Sequence, residues 1–342
     1  MKRLESASCP EAKGLVRPAS SDLSRFLQWR INALAAGRLP CFGSRLYLGL
    51  LGRFYFLLAP GQKKAIQAAL DCCLAERFST REIKAVWPQV RRGIFDHYHE
   101  KLLLGFRPFD WVRQTHLAKI EISGLESLNQ ALELGRGVIL VTGHFGAVEF
   151  IPGALAFRGF PVTIMVHCKT KGLRQKLEEK SSLAGARLLD PKSAKVFFLA
   201  LDHLRQGRIL ITQCDEMEMW RPYPDQQISF LGLNLGLDRS LDVLARKSKA
   251  PVLFGLNHRL GKGRYRLVLE RPEDHPAARG QALVSAQCLS ILSDYIYATP
   301  GAWYEWKKLK PFLEKAASKI AHEDRLRLGL PGQMALCPAG PA

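Results

Sequence analysis

From Leu117 onward the chain alternates between short apolar runs and longer amphipathic ones, and this alternation limits the possible folds more than any other feature. "AKIEISG", "GVILVTG", "PVTIMVH", "ARLLD" and "RILITQCD" read as strands, being β-branched or alternating and bounded by turn residues. Between them, "LESLNQALELG", "AVEFIPGALAFRG", "KGLRQKLEEKSSLAG" and "SAKVFFLALDHLRQG" carry helical spacing and end at glycine. Strands separated by helices in this way predict an α/β fold, a largely parallel mixed sheet flanked by helices. "QQISFLG" is one further strand. "PVLFGLNHR" and "RYRLVLE" face each other across "LGKG" as an antiparallel hairpin. A helix, "GQALVSAQCLSILSDYIYA", and a basic segment rich in tryptophan follow.

Residues 117–327 therefore form the α/β domain. Residues 21–116 read as helices, with a capping box at Ser79 and Glu82 and a possible kink at Pro88. Residues 1–20 and 328–342 read as a disordered and a flexible tail. At 47% hydrophobic, a chain of 342 residues can bury a large core. Its net charge of +19 suits polyanionic partners: nucleic acid, an anionic lipid surface or an acidic protein. The eight cysteines contain no CxxC pair and read as free or buried thiols of a reducing compartment. The first residues lack the apolar run of a secretory signal. The most apolar front segment, residues 46–59, falls short of the ~20 residues that span a bilayer and is broken by Arg53. Flanked by Arg38, Arg45, Lys63 and Lys64, it predicts peripheral or monotopic attachment to the cytoplasmic leaflet.

The segment "ILVTGHFGAVEF" carries the chemistry. Its strand delivers His144 to a turn at the carboxyl edge of the sheet, where α/β proteins bind ligands. Gly143 and Gly146 permit the turn and the approach of a substrate. Glu149 falls in the first turn of the next helix, from which a carboxylate can reach back to the imidazole and stabilise its protonated form. The helix start is expected to add backbone N–H groups that favour developing negative charge. The pair suits proton abstraction from a hydroxyl. No serine or cysteine is equally placed, so that hydroxyl belongs to the substrate.

At these residues the chain resembles the bacterial lipid A biosynthesis (lauroyl/myristoyl) acyltransferases, within the lysophospholipid (glycerolipid) acyltransferase superfamily. The resemblance rests on "GRGVILVTGHFGAVEF", the lead-in "GLESLNQALELG", "ILITQCDEMEMW" with "QQISFLG", "LDVLARKSKAPVLFG" and "TPGAWYEWKKLK". It implies transfer of a fatty acyl group from a thioester, on acyl carrier protein or CoA, to a hydroxyl of a lipid acceptor, with His144 as general base, Glu149 orienting it and no cofactor or metal. The family's usual aromatic-Arg-Pro is replaced by "IMVHCKTKG", where His167, Lys169 and Lys171 are the candidates for positive charge. Asp215 is followed by Glu rather than the usual Gln, and "LNLGLDRS" departs from the family's small or hydroxyl residue.

Other positions leave alternatives open. Asp215 ends a strand on the same edge as His144 and can join the site, cap a helix or form a salt bridge. Arg239 opens a helix and can bind phosphate or face solvent. Cys214 reads as a buried thiol, and His97 and His99 lie on different helix faces, which disfavours a metal site. Trp303 and Trp306 among lysines form either an interfacial patch or helix packing. A non-catalytic adaptor of the same fold and a basic nucleic-acid-binding protein are the rival functions, though no nucleic-acid recognition motif is present.

Overall fold

The structure, a computed structural model, describes residues 30–168, 171–261 and 263–315. The two tails and Lys169 lie outside the described residues. The described front of the chain is helical: α1 (Arg30–Arg38), α2 (Cys41–Leu58), α3 (Pro60–Leu74), α4 (Thr80–Phe106) and α5 (Phe109–Thr115). α3 opens on Pro60, whose fixed φ suits a first helical turn. α4 starts at the anticipated capping box: the Ser79 hydroxyl accepts from the Glu82 N–H, and the Glu82 carboxylate accepts from the Ser79 N–H at 2.8 Å. Its buried Ile83, Val86, Val90 and Ile94 recur at helical spacing. Pro88 sits within α4 without ending it.

The remaining chain builds the α/β layer. β1 (Ile120–Ser123), α6 (Leu125–Glu133), β2 (Val138–Thr142), α7 (Ile151–Phe157), β3 (Val162–Met165), α8 (Lys171–Leu183), β4 (Arg187–Leu189), α9 (Val196–Arg205) and β5 (Ile209–Gln213) alternate as the sequence predicts. β6 (Pro222–Phe230), β7 (Leu233–Asp238), α10 (Ser240–Ser248), β8 (Val252–Gly261), β9 (Arg264–Glu270) and α11 (Val284–Ala298) complete it. The seven-stranded sheet has the order β1-β9-β8-β2-β5-β3-β4. Every neighbouring pair is parallel except the β8/β9 hairpin. β2 lies near the middle with all five residues buried, so its run of Val, Ile and Leu is apolar on both faces.

One strand escapes the sequence reading. "LNLGLD" is β7, which pairs antiparallel with β6 outside the main sheet. The turn joining them places Leu231 and Gly232 at φ 52° and 76°, the twist that a two-residue hairpin needs. Leu233, Leu235 and Leu237 alternate inward.

Two close contacts fix the helical front, one against the turn after α11 and one against the sheet. A Cβ on Gly93 of α4 would sit 1.9 Å from the Gly301 carbonyl oxygen, so only glycine allows that approach. Glu100 of α4 accepts two hydrogen bonds from Arg259 of β8, each at 2.8 Å, and the Glu100 side chain is 4% exposed. A buried carboxylate left without its partner is strongly unfavourable. Arg259→Met is therefore expected to cost about 3–5 kcal/mol in chemical denaturation, while a Glu100→Leu/Arg259→Met double variant recovers most of the loss. Simple addition of the two single losses in the double variant would contradict this account.

Candidate active site

The register of two parallel strands builds the site. Thr142 of β2 lies opposite Gln213 of β5, and the Cys214 N–H extends the ladder to the Thr142 carbonyl at 2.9 Å. Two residues beyond this matched pair stand His144, just after β2, and Asp215, just after β5. Asp215 is fully buried and accepts three hydrogen bonds: from the His144 backbone N–H at 2.9 Å, from the His144 ring at Nδ1 at 2.9 Å, and from Trp303 Nε1 at 2.7 Å. The turn after His144 is held by backbone contacts. Gly146 has φ 59°, and a Cβ there would lie 2.1 Å from the Asn257 carbonyl oxygen. The Gly146 N–H donates to Ala302 at 2.9 Å and the Ala147 N–H to Asn257 at 2.8 Å. These donors, expected to face developing negative charge, are thus already used. A Cβ on Gly143 would fall 2.7 Å from the Leu292 side chain.

Nε2 of His144 also meets carboxylates, Glu216 at 3.0 Å and Glu305 at 4.0 Å. Burial alone would drive the imidazole neutral, but Asp215, Glu216 and Glu305 outweigh it and raise its pKa to about 10. Burial likewise opposes charge on Asp215, yet the His144 and Trp303 donors hold its carboxyl below the usual range. Lys308, with its side chain 10% exposed, completes the cluster at 3.2 Å from Glu216 and 3.6 Å from Glu305.

Glu149 lies elsewhere. It sits in a 3-10 turn, Val148–Phe150, ahead of α7, and among the described residues its ion pairs are with Lys101 at 3.5 Å and His97 at 3.7 Å. The ring of His144 is held by Asp215, which the sequence placed on the same edge without assigning it a partner. Burial opposes charge on Lys101, but Glu149 holds its ammonium above the ordinary value. Burial and Lys101 push His97 well below its ordinary pKa, so it is neutral. The His97 ring stacks on Tyr304 at 3.7 Å, and the buried Tyr304 hydroxyl has no hydrogen-bond partner among the described residues.

Both clusters line one cavity of about 840 Å³ at the carboxyl ends of β2, β3, β4 and β5, within the usual range of about 300–1,000 Å³ for ligand pockets. Leu104, Ile164, Val166, Leu188, Val196 and Leu244 supply apolar wall, and Lys101, Lys180, Lys307 and Lys308 supply cations. Lys180 donates to the Leu104 and Arg107 carbonyls, and burial lowers its pKa to about 8. His167 lines the cavity and pairs with Asp190 at 3.4 Å. Lys171 is exposed at the start of α8, outside the lining. Arg239 is also outside the lining, with its guanidinium 5.6 Å from the Tyr223 ring. Cys214 lines the cavity half-buried rather than fully buried, and desolvation of its thiol together with the Asp215 charge pushes its pKa well up. His97 faces the cavity, whereas His99 meets the Ser44 hydroxyl at 2.8 Å. Among the described residues no group of three or more His, Cys, Asp or Glu is arranged to hold a metal ion.

The sequence reading missed Lys101, Glu216, Glu305 and Lys308. Their only sequence signals are the helical spacing of His97 and Lys101 and the acidic and basic residues of "DEM" and "EWKK". Trp303 and Trp306 are both fully buried, which removes the interfacial patch in favour of packing, and Trp303 also donates to Asp215. Residues 18–307 match the family model described as bacterial lipid A biosynthesis acyltransferase. None of the curated proteins compared with the chain matches it.

Proposed function

The chain belongs to the bacterial lipid A biosynthesis acyltransferase family and is an acyltransferase, and from that premise we propose that His144 and Asp215 are its general-base pair. The observation that carries this reading is a histidine held at Nδ1 by a buried carboxylate, with Nε2 turned to an apolar-walled cavity. The apolar wall takes the fatty chain of a thioester donor, on acyl carrier protein or CoA. The acceptor is a hydroxyl of a lipid A-type glycolipid. With Asp215 accepting from Nδ1–H, the neutral ring has its lone pair on Nε2, and the acceptor O–H gives its proton there. The oxygen attacks the thioester carbonyl carbon, the C–S bond breaks, and Nε2 returns the proton to the leaving thiolate. Asp215 stabilises the imidazolium between these steps. Because the N–H groups of Gly146 and Ala147 are engaged, positive charge for the oxyanion comes from Lys101 or Lys308 on the cavity wall. Glu149 holds Lys101 in place.

His144→Ala is expected to slow acyl transfer from a thioester donor to a hydroxylated lipid A precursor by ~10²–10⁴-fold. His144→Ala/Asp215→Ala should be little worse, because the two act as one unit. A folded His144→Ala protein with near wild-type transfer would end this reading. Mass spectrometry of lipid A from a host with and without the gene identifies the acceptor. An unchanged acyl pattern there would count against lipid A.

The front helices suit attachment to the cytoplasmic face of the inner membrane. No helix among the described residues is long and apolar enough to cross a bilayer. α2 nevertheless exposes Phe42, Leu46, Leu50, Phe54 and Leu57, spaced to share one slowly turning face, at 81%, 53%, 45%, 61% and 74%. An apolar stripe beside basic residues is the pattern of an interfacial helix. Phe42→Glu/Phe54→Glu is expected to release the protein from sedimenting anionic vesicles at physiological salt. Sedimentation equal to wild type would argue against α2 as the attachment face.

A further inference from the structure

The position that an acceptor hydroxyl must occupy on His144 is already filled. Glu216 Oε1 lies 3.0 Å from Nε2, and its other oxygen lies 3.2 Å from Lys308 Nζ. Of the three carboxylates at this ring, Asp215 has no side-chain exposure; Glu305 and Glu216 both border the cavity, Glu305 at 14% exposure and Glu216 at 35%. Moving Asp215 would strand three buried donors. Moving Glu216 leaves His144 paired with Asp215 and Lys308 paired with Glu305. Glu216, the most exposed carboxylate of this cluster, can therefore swing toward solvent without leaving an unpaired buried charge.

We propose that Glu216 is a latch on Nε2 of His144, closed until the acceptor hydroxyl displaces it, so that a bound acyl thioester is not spent on water. This inference rests on the general-base reading above. Without a latch, a water in the cavity can do what the acceptor does. Its oxygen attacks the carbonyl carbon, a C–O bond forms and the C–S bond breaks. The water proton passes through Nε2 to the thiolate, leaving a free fatty acid and a thiol. With the latch closed, the ring between Asp215 and Glu216 carries both protons, and Nε2 has no lone pair to accept a third. A lipid acceptor brings binding energy from its whole body to displace Glu216, which leaves with the Nε2 proton as a carboxylic acid and so frees the lone pair for the acceptor hydroxyl, whereas water brings none.

The latch also sets pH dependence. The groups facing the ring are Asp215 and Glu216 beyond β5, Tyr304, Glu305 and Lys308 from the C-terminal segment, and His97 from α4. A base works only when unprotonated, so the rate rises with pH up to the pKa of the ring. The carboxylates raise that pKa, and removing one lowers it, which moves the rising limb to lower pH. Each unit of lowering gives about tenfold more free base at a given pH well below the pKa.

The test uses the full-length protein and dodecanoyl-CoA, with thiol release followed between pH 6 and 8.5 in the absence of any acceptor. Glu216→Ala should release thiol at least about tenfold faster than wild type at pH 7 and show a higher ratio of hydrolysis to acyl transfer. Adding His144→Ala should abolish the gain. Glu216→Gln keeps the size but not the charge, and serves if the alanine variant fails to fold; its limb should move to lower pH in the same direction. Equal thiol release from wild type and variant, zero included, overturns the latch, as does a gain that survives His144→Ala. Loss of both hydrolysis and transfer in Glu216→Ala would make Glu216 part of the chemistry and also overturn it. Failure of the general-base reading shows separately, as acyl transfer that persists in His144→Ala alone.

Discussion

A carboxylate with no solvent exposure must be neutral or surrounded by donors, and Asp215 is surrounded. Its three donors come from two distant parts of the chain, the turn after β2 and the segment after α11. That requirement ties the local geometry together. The parallel register of β2 and β5 places His144 beside Asp215, and the Trp303 hydrogen bond draws the C-terminal segment over the turn. There the Tyr304 N–H donates to the His144 carbonyl at 3.3 Å. The same segment brings Glu305 and Lys308 to the other side of the ring. A single buried charge thus gathers the elements that meet at His144.

The cavity joins two polar clusters with different balances. Around His144 three carboxylates face one lysine, which favours a protonated ring in the unloaded protein. Around Glu149 one carboxylate faces Lys101 and a neutral histidine. The second cluster depends on α4, so the helical front supplies cavity wall and charge as well as an exposed apolar face. The buried Glu100–Arg259 pair one turn along α4 from His97 anchors that contribution to β8.

The strands of the main sheet were legible because buried β-branched runs and glycine-ended helices are local signals. β7 was not, since its alternating leucines are interrupted by Asn234 and Gly236, residues that ordinarily mark turns. His144 was legible because a strand, two glycines and a histidine lie within one short segment. Its partner was not, because local spacing points to Glu149 while strand order points to Asp215. Nothing in the linear pattern places β5, rather than β3, beside β2. Lys101 and Lys308 are separated from His144 by 43 and 164 positions, and only the packing of α4 and the C-terminal segment brings them to the cavity.

Asp215, and not Glu149, holds the His144 ring. An NMR titration of the His144 side-chain nitrogens in Asp215→Asn and in Glu149→Gln separates the two carboxylates. Asp215→Asn is expected to lower the His144 pKa from its raised value and to change the Nδ1 signal, while Glu149→Gln leaves both nearly as in wild type. A ring that titrates normally in Asp215→Asn but shifts strongly in Glu149→Gln would contradict it.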